Sequence, residues 1–472
     1  MRNCWYRIPG VVILLLFIFN SLSYSQFFSP EIYSPESGLP SRSVFDITQD
    51  SSGYLWISTG LGISLYDGYK FNNYSYTDSN RLVQFRFALT DQKNSIWFIP
   101  RLIRDSIRIY SNSVWSSIPP PVDVKLLASS SAANIYYENG KPVLALGTTT
   151  GLYLYKDSKW SFFSTKNGLQ DNYIYNISVQ NNLLYVVNGK GISVYNSGSF
   201  DNSYFESIKK DFPNPLNIIF KSSPDGSSQR TYILDLNKLG YIENNIPYIL
   251  SSDFQLNFSK DVEAFPLAVD AAGNLFFGSL WGKYLYNSKT KTSQKLYKSS
   301  GFASDGAMRI FIDKEHNVWF TDTRGLNKIN SIAFLNYNSS SGLFEDEVSA
   351  IAEFGNYNFI FGHNQGISFL INGSVKTIPF SQFPHFRNTA SRVLDIFNDG
   401  NGTLWVAAHY MGVAKIDYNG NIFWLNTPDT VAFSSVSKGL NGEILFGTNW
   451  GVYTLDNRSE EHTSELQSRQ VI

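Results

Sequence analysis

The sequence of 472 residues is 43% hydrophobic, 16% aromatic and 16% charged, and it carries a formal net charge of -1 at pH 7. This near-neutral balance lacks the basic footprint of a nucleic-acid binder, so we predict no nucleic-acid partner. The length exceeds that of one ordinary domain, and the aromatic, Gly-rich and charge-poor composition suits stacked β-sheets.

The first residues have the pattern of a secretory signal. Arg2 and Arg7 precede an apolar run, Val11–Phe19, which is too short to span a membrane comfortably. Small residues follow in Ser23-Tyr-Ser at the spacing expected for cleavage. We therefore predict a signal peptide at residues 1–25 and a periplasmic or cell-surface location. An uncleaved N-terminal anchor is the alternative.

The cysteine content agrees with export. Cys4 is the only cysteine of the sequence, and it lies before the apolar run. The mature chain is therefore predicted to hold no disulfide, so its stability must come from its core and from ring closure. This fits the bacterial periplasm or cell surface better than a eukaryotic secreted protein.

A short stretch, Asp50–Ile63, defines a repeat. Asp50 and Gly53 form a turn in which the carboxylate caps backbone amides, and a strand with Trp56 follows. Gly62 lies six residues after Trp56. We interpret the recurring positions as scaffold. The repeat residues assigned in this way are Asp50, Gly53, Trp56, Gly62, Asp270, Gly273, Phe276, Gly282, Asp313, Trp319, Gly325, Trp405 and Gly412.

The period of the repeat predicts the fold class. Residues at the Trp56 position recur at intervals of 40 to 48 residues, which is the spacing of propeller blades. Each unit has the pattern of four strands, and neighbouring units must stack because one such sheet cannot cover both of its faces. We predict an all-β fold, a β-propeller. The residues at this position are Trp56, Trp97, Ala145, Tyr185, Tyr232, Phe276, Trp319, Ile360, Trp405 and Leu445.

Ten units exceed the four to eight blades of one ring, so we predict two propellers. The first, seven-bladed ring is assigned to residues 26–330. Its closing strand lies in Phe28–Pro35 and pairs with the unit of Trp319, which leaves no exposed sheet edge. Residues 331–457 are assigned to the first three blades of a truncated second propeller. Residues 458–472 break the pattern and are assigned to a non-native or disordered tail; a genuine polar linker is the alternative.

The first unit carries a family resemblance. It reads GLPSRSVFDITQDSSGYLWIST from Gly38, and GISLYDG follows from Gly62. This run is similar to the two-component regulator propeller repeat, which builds the periplasmic sensor region of hybrid two-component histidine kinases in Bacteroidetes and their relatives. The resemblance covers roughly residues 28–457, and residues 201–262 match the repeat poorly.

The resemblance implies two seven-bladed propellers followed by an immunoglobulin-like module, a membrane helix and a cytoplasmic kinase. It also implies a sensor, because many such proteins respond to oligosaccharides. On this basis the chain is predicted to be an extracytoplasmic ligand-binding region without enzymatic activity of its own. Its partner would be a small molecule or an oligosaccharide. Membrane contact would come only through missing downstream segments, and the full-length sensor would be a candidate homodimer.

Two other functions stay open at this point. The first is a structural or secretion-associated propeller protein of the cell surface. The second is a propeller enzyme that acts on polysaccharide, because a fold alone does not determine function. We predict no catalytic residue, because the acidic residues that can be placed fall mainly at turns round the ring rather than in a pair across one bond.

No cofactor or metal site is predicted either. The histidines show no metal-ligand spacing. The recurring aspartates could be interpreted as ligands of calcium ions, but their role in the turns of the repeat already explains them. The histidines are His316, His363, His385, His409 and His462.

The predicted ligand site lies in loops. In a propeller, the loops that enter the innermost strand and those that follow the second strand gather at one face around the channel. Aromatic faces together with planar arginine donors suit an anionic saccharide. In the alternative, each arginine is solvated or paired locally, as Arg104 beside Asp105, and the tryptophan packs between blades. The residues predicted to line the mouth are Arg42, Arg101, Arg104, Tyr173, Trp281 and Arg324.

Overall fold

The computed structural model describes residues 30–455 and 467–468, except for 79–80, 122–128, 257–263, 331, 333–336, 340–341, 356–357, 372–373, 384–385, 387–390, 418–419 and 429. The predicted signal peptide, His385 and His462 lie outside these residues. The chain divides into two compact units, Phe28–Phe334 and a second that contains Leu335–Ile472. Within the part that is described, no helix is long and apolar enough to cross a membrane.

The first unit consists almost entirely of short antiparallel strands. They are β1 (Glu31–Tyr33), β2 (Val44–Gln49), β3 (Leu55–Thr59), β4 (Gly62–Tyr66), β5 (Phe71–Tyr74), β6 (Thr77–Asp78), β7 (Arg81–Leu82), β8 (Phe85–Thr90), β9 (Ile96–Pro100), β10 (Ile107–Ser111), β11 (Val114–Ile118), β12 (Ser130–Glu138), β13 (Lys141–Thr148), β14 (Leu152–Lys156), β15 (Lys159–Phe163), β16 (Ile174–Gln180), β17 (Leu183–Asn188), β18 (Gly191–Asn196), β19 (Ser199–Asp201), β20 (Pro215–Ser222), β21 (Gln229–Asp235), β22 (Leu239–Glu243), β23 (Ile246–Ser251), β24 (Leu267–Val269), β25 (Leu275–Ser279), β26 (Gly282–Asn287), β27 (Thr292–Leu296), β28 (Arg309–Ile312), β29 (Val318–Asp322) and β30 (Gly325–Ile329). One helix, α1 (Ser203–Ile208), follows β19.

Apart from β6 and β7, which pair only with each other, these strands form four-stranded sheets arranged in a ring. We number the sheets 1 to 7 in chain order; the described strands of this unit give β2–β5, β8–β11, β12–β15, β16–β19, β20–β23 and β24–β27, and sheet 7 contains β28–β30 with β1. The first strand of each sheet contacts the first strand of the next, and β28 of sheet 7 contacts β2 of sheet 1. The fold is therefore the all-β propeller that the sequence predicts.

The ring is closed by β1. This strand pairs antiparallel with β30, so that Tyr33 lies opposite Leu326 and Glu31 opposite Lys328. The ring of Tyr33 stacks on Trp319 at a centroid distance of 5.7 Å. The N-terminal strand thus completes the last sheet of the chain's first unit and covers an edge that would otherwise be unpaired.

The Asp-to-Trp stretch builds both the turn and the wedge between sheets. One carboxylate oxygen of Asp50 accepts the backbone N–H groups of Ser52 and Tyr54, and the other accepts the indole N–H of Trp56 at 3.0 Å. The indole is 2% exposed and packs on Tyr110 of sheet 2 at 4.8 Å. Trp97 and Trp319 make the same bond to Asp91 and Asp313.

Steric constraints require a glycine at the repeat position six residues after the tryptophan. Gly62 has a φ of +126°, and a Cβ added there would lie 2.2 Å from the carbonyl oxygen of Tyr74. Glycine alone avoids this clash, because it has no Cβ and accepts a positive φ.

The connection from one sheet to the next is also repeated; we call its 3₁₀ turn and glycine the handover turn. Short 3₁₀ turns at Pro35–Ser37, Thr165–Asn167 and Lys298–Ser300 each end in a left-handed glycine. A buried apolar residue follows each glycine; Leu39 follows the glycine of the first turn, and Phe302 follows the glycine of the third. This buried residue packs in the core and fixes the position of the chain just before the next inner strand.

Residues 201–262, which match the repeat poorly, still contain sheet 5. Tyr232 pairs with Ile219 of the inner strand, the same register in which Trp56 pairs with Thr48. The irregularity lies in the connections, since α1 fills the segment before sheet 5 and Phe212 packs on Gly240.

The second unit has the same architecture. Its strands are β31 (Ala350–Phe354), β32 (Asn358–Gly362), β33 (Gly366–Ile371), β34 (Ser374–Pro379), β35 (Val393–Asn398), β36 (Thr403–Ala408), β37 (Gly412–Asp417), β38 (Ile422–Trp424), β39 (Phe433–Lys438), β40 (Ile444–Thr448), β41 (Gly451–Thr454) and β42 (Gln467–Ser468). They form the sheets β31–β34, β35–β38 and β39–β42. The strand β42 lies within the segment that the sequence assigns to a tail, and it pairs with β41.

One core position departs from the pattern. In other sheets of the first unit a buried aliphatic residue, such as Ile63 or Leu326, follows the repeat glycine, but sheet 6 has Lys283, which is fully buried. Its ammonium donates to the carbonyl oxygens of Ser304 and Gly306 and lies 4.3 Å from the centroid of the Phe302 ring. Burial lowers the pKa of Lys283 to about 8.

This lysine predicts a pH dependence of stability. Between pH 8 and the ordinary lysine value of 10.5 the unfolded chain binds more protons than the folded chain, so the free energy of unfolding rises with pH across this window. Lys283→Leu removes this contribution. Urea unfolding of both proteins from pH 7.5 to 10 is expected to show the wild type gaining about 2–3 kcal/mol relative to the variant. A difference that stays constant with pH would contradict the lowered pKa of Lys283.

Candidate ligand-binding cavity

A cavity of about 520 Å³ lies on the axis of the first unit. Its walls include residues of the inner strands of all seven sheets, among them Phe45 of sheet 1, Asn134 of sheet 3 and Leu267 of sheet 6. It reaches Gly60, Arg101, Leu280 and Thr323, which lie in loops after second strands. The volume lies in the range of about 300–1,000 Å³ typical of small-molecule sites.

One part of the wall is basic. Arg86 and Arg101 come from sheet 2 and its second loop, and Arg309 comes from sheet 7. The guanidinium of Arg86 lies 5.7 Å from the ring centroid of Phe87. Asp46 of sheet 1 is the one acidic residue among the described residues that line the cavity. Three arginines and one carboxylate therefore belong to the described lining of the cavity.

Asp46 also joins neighbouring sheets. It is 1% exposed, and its carboxylate accepts the N–H of Ile47 at 2.9 Å and the N–H of Ala88 in sheet 2 at 3.2 Å. Arg309 Nε lies 3.2 Å from Asp46 Oδ1. Burial raises the pKa of Asp46, and the charge of Arg309 opposes that rise. The carboxylate thus connects sheets 7, 1 and 2 at the channel wall.

Sheets 3 to 5 present neutral polar groups instead. The amide of Asn134 donates to Ile177 O at 2.9 Å, and the amide of Asn217 donates to Phe265 O at 2.6 Å, each bond reaching the next sheet. In the described part of the chain, Asn217 Oδ1 and Ser131 Oγ have no hydrogen-bond partner, and both atoms are buried within the protein rather than exposed to the cavity.

Of the predicted mouth residues, Arg101 lines the cavity, where its guanidinium lies 3.4 Å from Gln84 Oε1. Arg104 is half-buried in the same loop outside the cavity lining. Asp105, which the alternative interpretation pairs with Arg104, forms an ion pair with Arg81.

Arg42 lies at the surface and forms a 2.7 Å ion pair with Glu36. Its place in the repeat explains this contact. The corresponding residues Asn172 and Asp305 accept the first N–H of the preceding 3₁₀ turn, at Thr165 and Lys298. The position of Arg42 therefore serves the handover turn rather than the channel.

Tyr173, Trp281 and Arg324 lie beside the cavity rather than in its wall. Trp281 is 59% exposed and follows Leu280, while Arg324 is exposed and follows Thr323. Tyr173 has its ring 5.3 Å from that of Tyr175. Leu280, Thr323 and Tyr175 line the cavity, so each predicted residue is next to or in contact with a lining residue.

Four polar residues of the inner strands line the cavity but are not among the residues predicted from the sequence. Asp46, Asn176, Asn217 and Arg309 occupy one position of the repeat, two residues before the partner of the Trp-type residue. A polar residue in an otherwise apolar inner strand is a usable signal, because inner strands face the core on both sides except where they meet the channel.

No group of His, Cys, Asp and Glu residues in the described part of the chain could hold a metal ion. Residues 38–60 match the family model described as Two component regulator propeller. The chain carries this repeat. The match confirms the resemblance that the sequence analysis bases on the repeat beginning at Gly38. This repeat contains the Asp50 turn and Trp56, which packs between two sheets.

The chain is similar to several solved structures. The extracellular domain of one hybrid two-component system from B. thetaiotaomicron is 18% identical, with 94% of this chain and 61% of that chain covered and a TM-score of 0.62. A second such domain from the same organism is 18% identical, with 94% and 60% covered and a TM-score of 0.48. Virginiamycin B lyase from Staphylococcus aureus is 15% identical, with 65% and 100% covered and a TM-score of 0.47.

No curated protein matches the chain. The chain spans about 60% of the length of the two-component structures that it resembles.

Proposed function

We propose that this chain is the extracytoplasmic ligand-binding region of a two-component signalling protein and that its ligand is an oligosaccharide. The two-component regulator propeller repeat and the fold shared with the extracellular domain of a hybrid two-component system support the sensor role. In this proposal the chain binds and has no catalysis of its own, and its output belongs to parts of the protein beyond this chain.

The observation that carries the proposal is the axial cavity. It combines guanidinium groups, amide side chains and the aromatic rings of Phe45, Phe87, Tyr175 and Phe265. Aromatic faces stack on sugar rings, and fixed polar groups select the orientation of hydroxyls. Because each of the seven inner strands contributes to this wall, a bound sugar would contact every sheet of the ring at once.

Ligand entry would use the loops after the second strands. Arg101 borders the cavity in one of these loops, and Trp281 and Arg324 follow its lining residues in two others. We therefore place the predicted mouth residues on the approach to the cavity, where they would contact the part of an oligosaccharide that extends beyond it. Arg42, which is paired with Glu36, would contribute least.

A binding experiment tests the proposal. The purified chain is screened on a glycan array, and hits are measured by isothermal titration calorimetry. Changing Arg101 and Arg104 together to Ala is expected to weaken binding of acidic glycans at least about tenfold, the loss of one charge-assisted hydrogen bond. Arg108→Ala is the control, because Arg108 lies in β10 of the same sheet over the ring of Tyr76.

Two outcomes would argue against this proposal. Absence of any glycan hit would contradict an oligosaccharide ligand. Acidic-glycan binding that is unchanged in the double variant would contradict a role of Arg101 and Arg104 in binding the acidic group. Release of reducing sugar by the purified chain would instead support a polysaccharide-active enzyme.

A further inference from the structure

A second, smaller cavity adjoins the axial one in the first unit. It has a volume of about 320 Å³, and we call it the side cavity. Two of its lining residues, Gln84 and Arg101, line the axial cavity as well. The two cavities therefore meet at these side chains, and one molecule can occupy both. The side-cavity residues that carry the argument are Arg81, Leu82, Gln84, Arg101 and Asp105.

Part of the side-cavity wall comes from an inserted hairpin. The strands β6 and β7 lie between sheets 1 and 2 and form the one two-stranded sheet in the described part of the chain. The hairpin is fixed at its base, because Val83 N–H donates to Tyr76 O at 2.8 Å. The ring of Tyr76 lies 5.3 Å from that of Trp115 in sheet 2. The wall that this hairpin contributes is thus attached to the ring of sheets.

Arg101 combines a fixed backbone with an unpaired charge. Its N–H donates to Gln84 O at 2.8 Å, and its carbonyl oxygen accepts the N–H of Ser130 at 2.9 Å. The residue is exposed, and its guanidinium bonds only the neutral amide of Gln84, at 3.4 Å. No carboxylate among the described residues pairs with it. A cation without a counter-charge therefore lies where the two cavities meet.

Arg81 adds a second guanidinium to the side cavity, and a buried carboxylate orients it. Arg81 Nη2 donates to Oδ1 of Asp105, whose side chain is 2% exposed. The Arg81 side chain is 41% exposed, and this is its one ion pair with a described residue. A guanidinium has five N–H donors, so donors remain for a further acceptor. The described lining of the side cavity thus holds two guanidinium groups and one carboxylate.

We propose that the side cavity is a subsite for an anionic substituent of the ligand, a carboxylate or a sulfate ester, and that Arg101 and Arg81 bind it. This inference rests on the proposed function and specifies the charged part of its ligand. Guanidinium groups form charge-assisted hydrogen bonds with the oxygens of such anions. The sugar that carries the substituent lies in the axial cavity, because the two cavities meet at Arg101.

Matched charged and neutral sugars test the proposal. Isothermal titration calorimetry of the full chain compares lactose 3′-sulfate with lactose, and digalacturonate with its dimethyl ester. At least one charged probe is expected to bind about tenfold or more tightly than its neutral counterpart, the effect of one charge-assisted hydrogen bond. The pair that shows this preference distinguishes a sulfate from a carboxylate.

Substitution of Arg101 tests the cation. In Arg101→Gln the preference is expected to fall to within about twofold, because the neutral probe never used the lost charge. Arg101→Lys keeps the charge without the planar fork, so it is expected to retain a preference of about threefold or more. The control is Arg392→Gln in the second unit, because the Arg392 side chain is 42% exposed and is paired with Glu347. This control is expected to keep the full preference.

A carboxylate introduced into the side cavity tests the position of the anion. Leu82 lines the side cavity and is not among the described residues that line the axial cavity. Leu82→Glu is expected to abolish the preference, because like charges repel. Leu82→Gln has nearly the same size without the charge and is expected to keep it. The affinity for the neutral probe is expected to be the same in both variants.

The outcomes separate this inference from the proposed function. Loss of the preference in Arg101→Gln and in Leu82→Glu, with Leu82→Gln unchanged, supports the subsite. Equal affinity for charged and neutral probes, or a preference that persists in Arg101→Gln, overturns it while sugar binding stands. A preference that Leu82→Glu retains places the anion outside the side cavity and also overturns it. Absence of binding by all four probes overturns it as well, and the glycan screen then decides the proposed function separately.

Discussion

Trp56→Ala is expected to lower the free energy of unfolding by about 3–5 kcal/mol, the range for removal of a buried Trp from a core. The side chain is 2% exposed, and its ring contacts Tyr110 and Phe98 of the next sheet at 4.8 and 5.8 Å. Truncation also leaves Asp50 Oδ2 without the indole N–H that it accepts. The variant thus loses packing between two sheets and a buried hydrogen bond together.

Urea unfolding followed by far-ultraviolet circular dichroism measures this loss. Trp281→Ala is the matched control, because the same residue type is 59% exposed there and its truncation is expected to cost less than about 1 kcal/mol. Similar losses in both variants would show that the wedge position contributes no more than a surface tryptophan.

Removing the closing strand is expected to destabilise the first unit by about 4–6 kcal/mol. The estimate combines about 1.5–3 kcal/mol for burial of Tyr33 with about 1 kcal/mol for each ladder hydrogen bond lost. A chain that starts at Pro35 lacks β1 and exposes β30 as an unpaired edge. Because an exposed edge pairs readily with other chains, this variant is also expected to self-associate.

The control is a chain that starts at Pro30, which retains β1. Differential scanning calorimetry and analytical ultracentrifugation of both chains provide the comparison. Equal melting temperatures together with two monomeric species would mean that closure by β1 is dispensable.

The repeat explains why so much of the fold could be predicted. Its local interactions are short in sequence: the Asp50 carboxylate caps a turn within four residues and reaches Trp56 six residues away. Such contacts are set by residue type and spacing alone. The same spacing placed Tyr232 correctly at the Trp position of sheet 5, even though the surrounding segment matches the repeat poorly.

The candidate site could be predicted only in part. Arg101 is predicted from its place in a loop around the channel and does line the cavity, whereas Arg42 forms an ion pair with Glu36 that its loop position does not indicate. The pairing of Arg309 with Asp46 joins residues 263 positions apart, which lie close only because sheet 7 meets sheet 1. Whether these mouth residues bind a ligand stays a prediction.

The sequence by itself therefore determined the strands, the turns and the propeller, because a period of 40 to 48 residues with an Asp–Gly–Trp frame requires only local chemistry and stacking of like units. The tertiary structure alone decided the chemistry of the channel. Ring closure brings seven inner strands around one axis, and it places the arginines of sheets 7 and 2 on one arc and the amides of sheets 3 to 5 on the other. No spacing along the chain encodes that juxtaposition, since it depends on which sheet closes against the first.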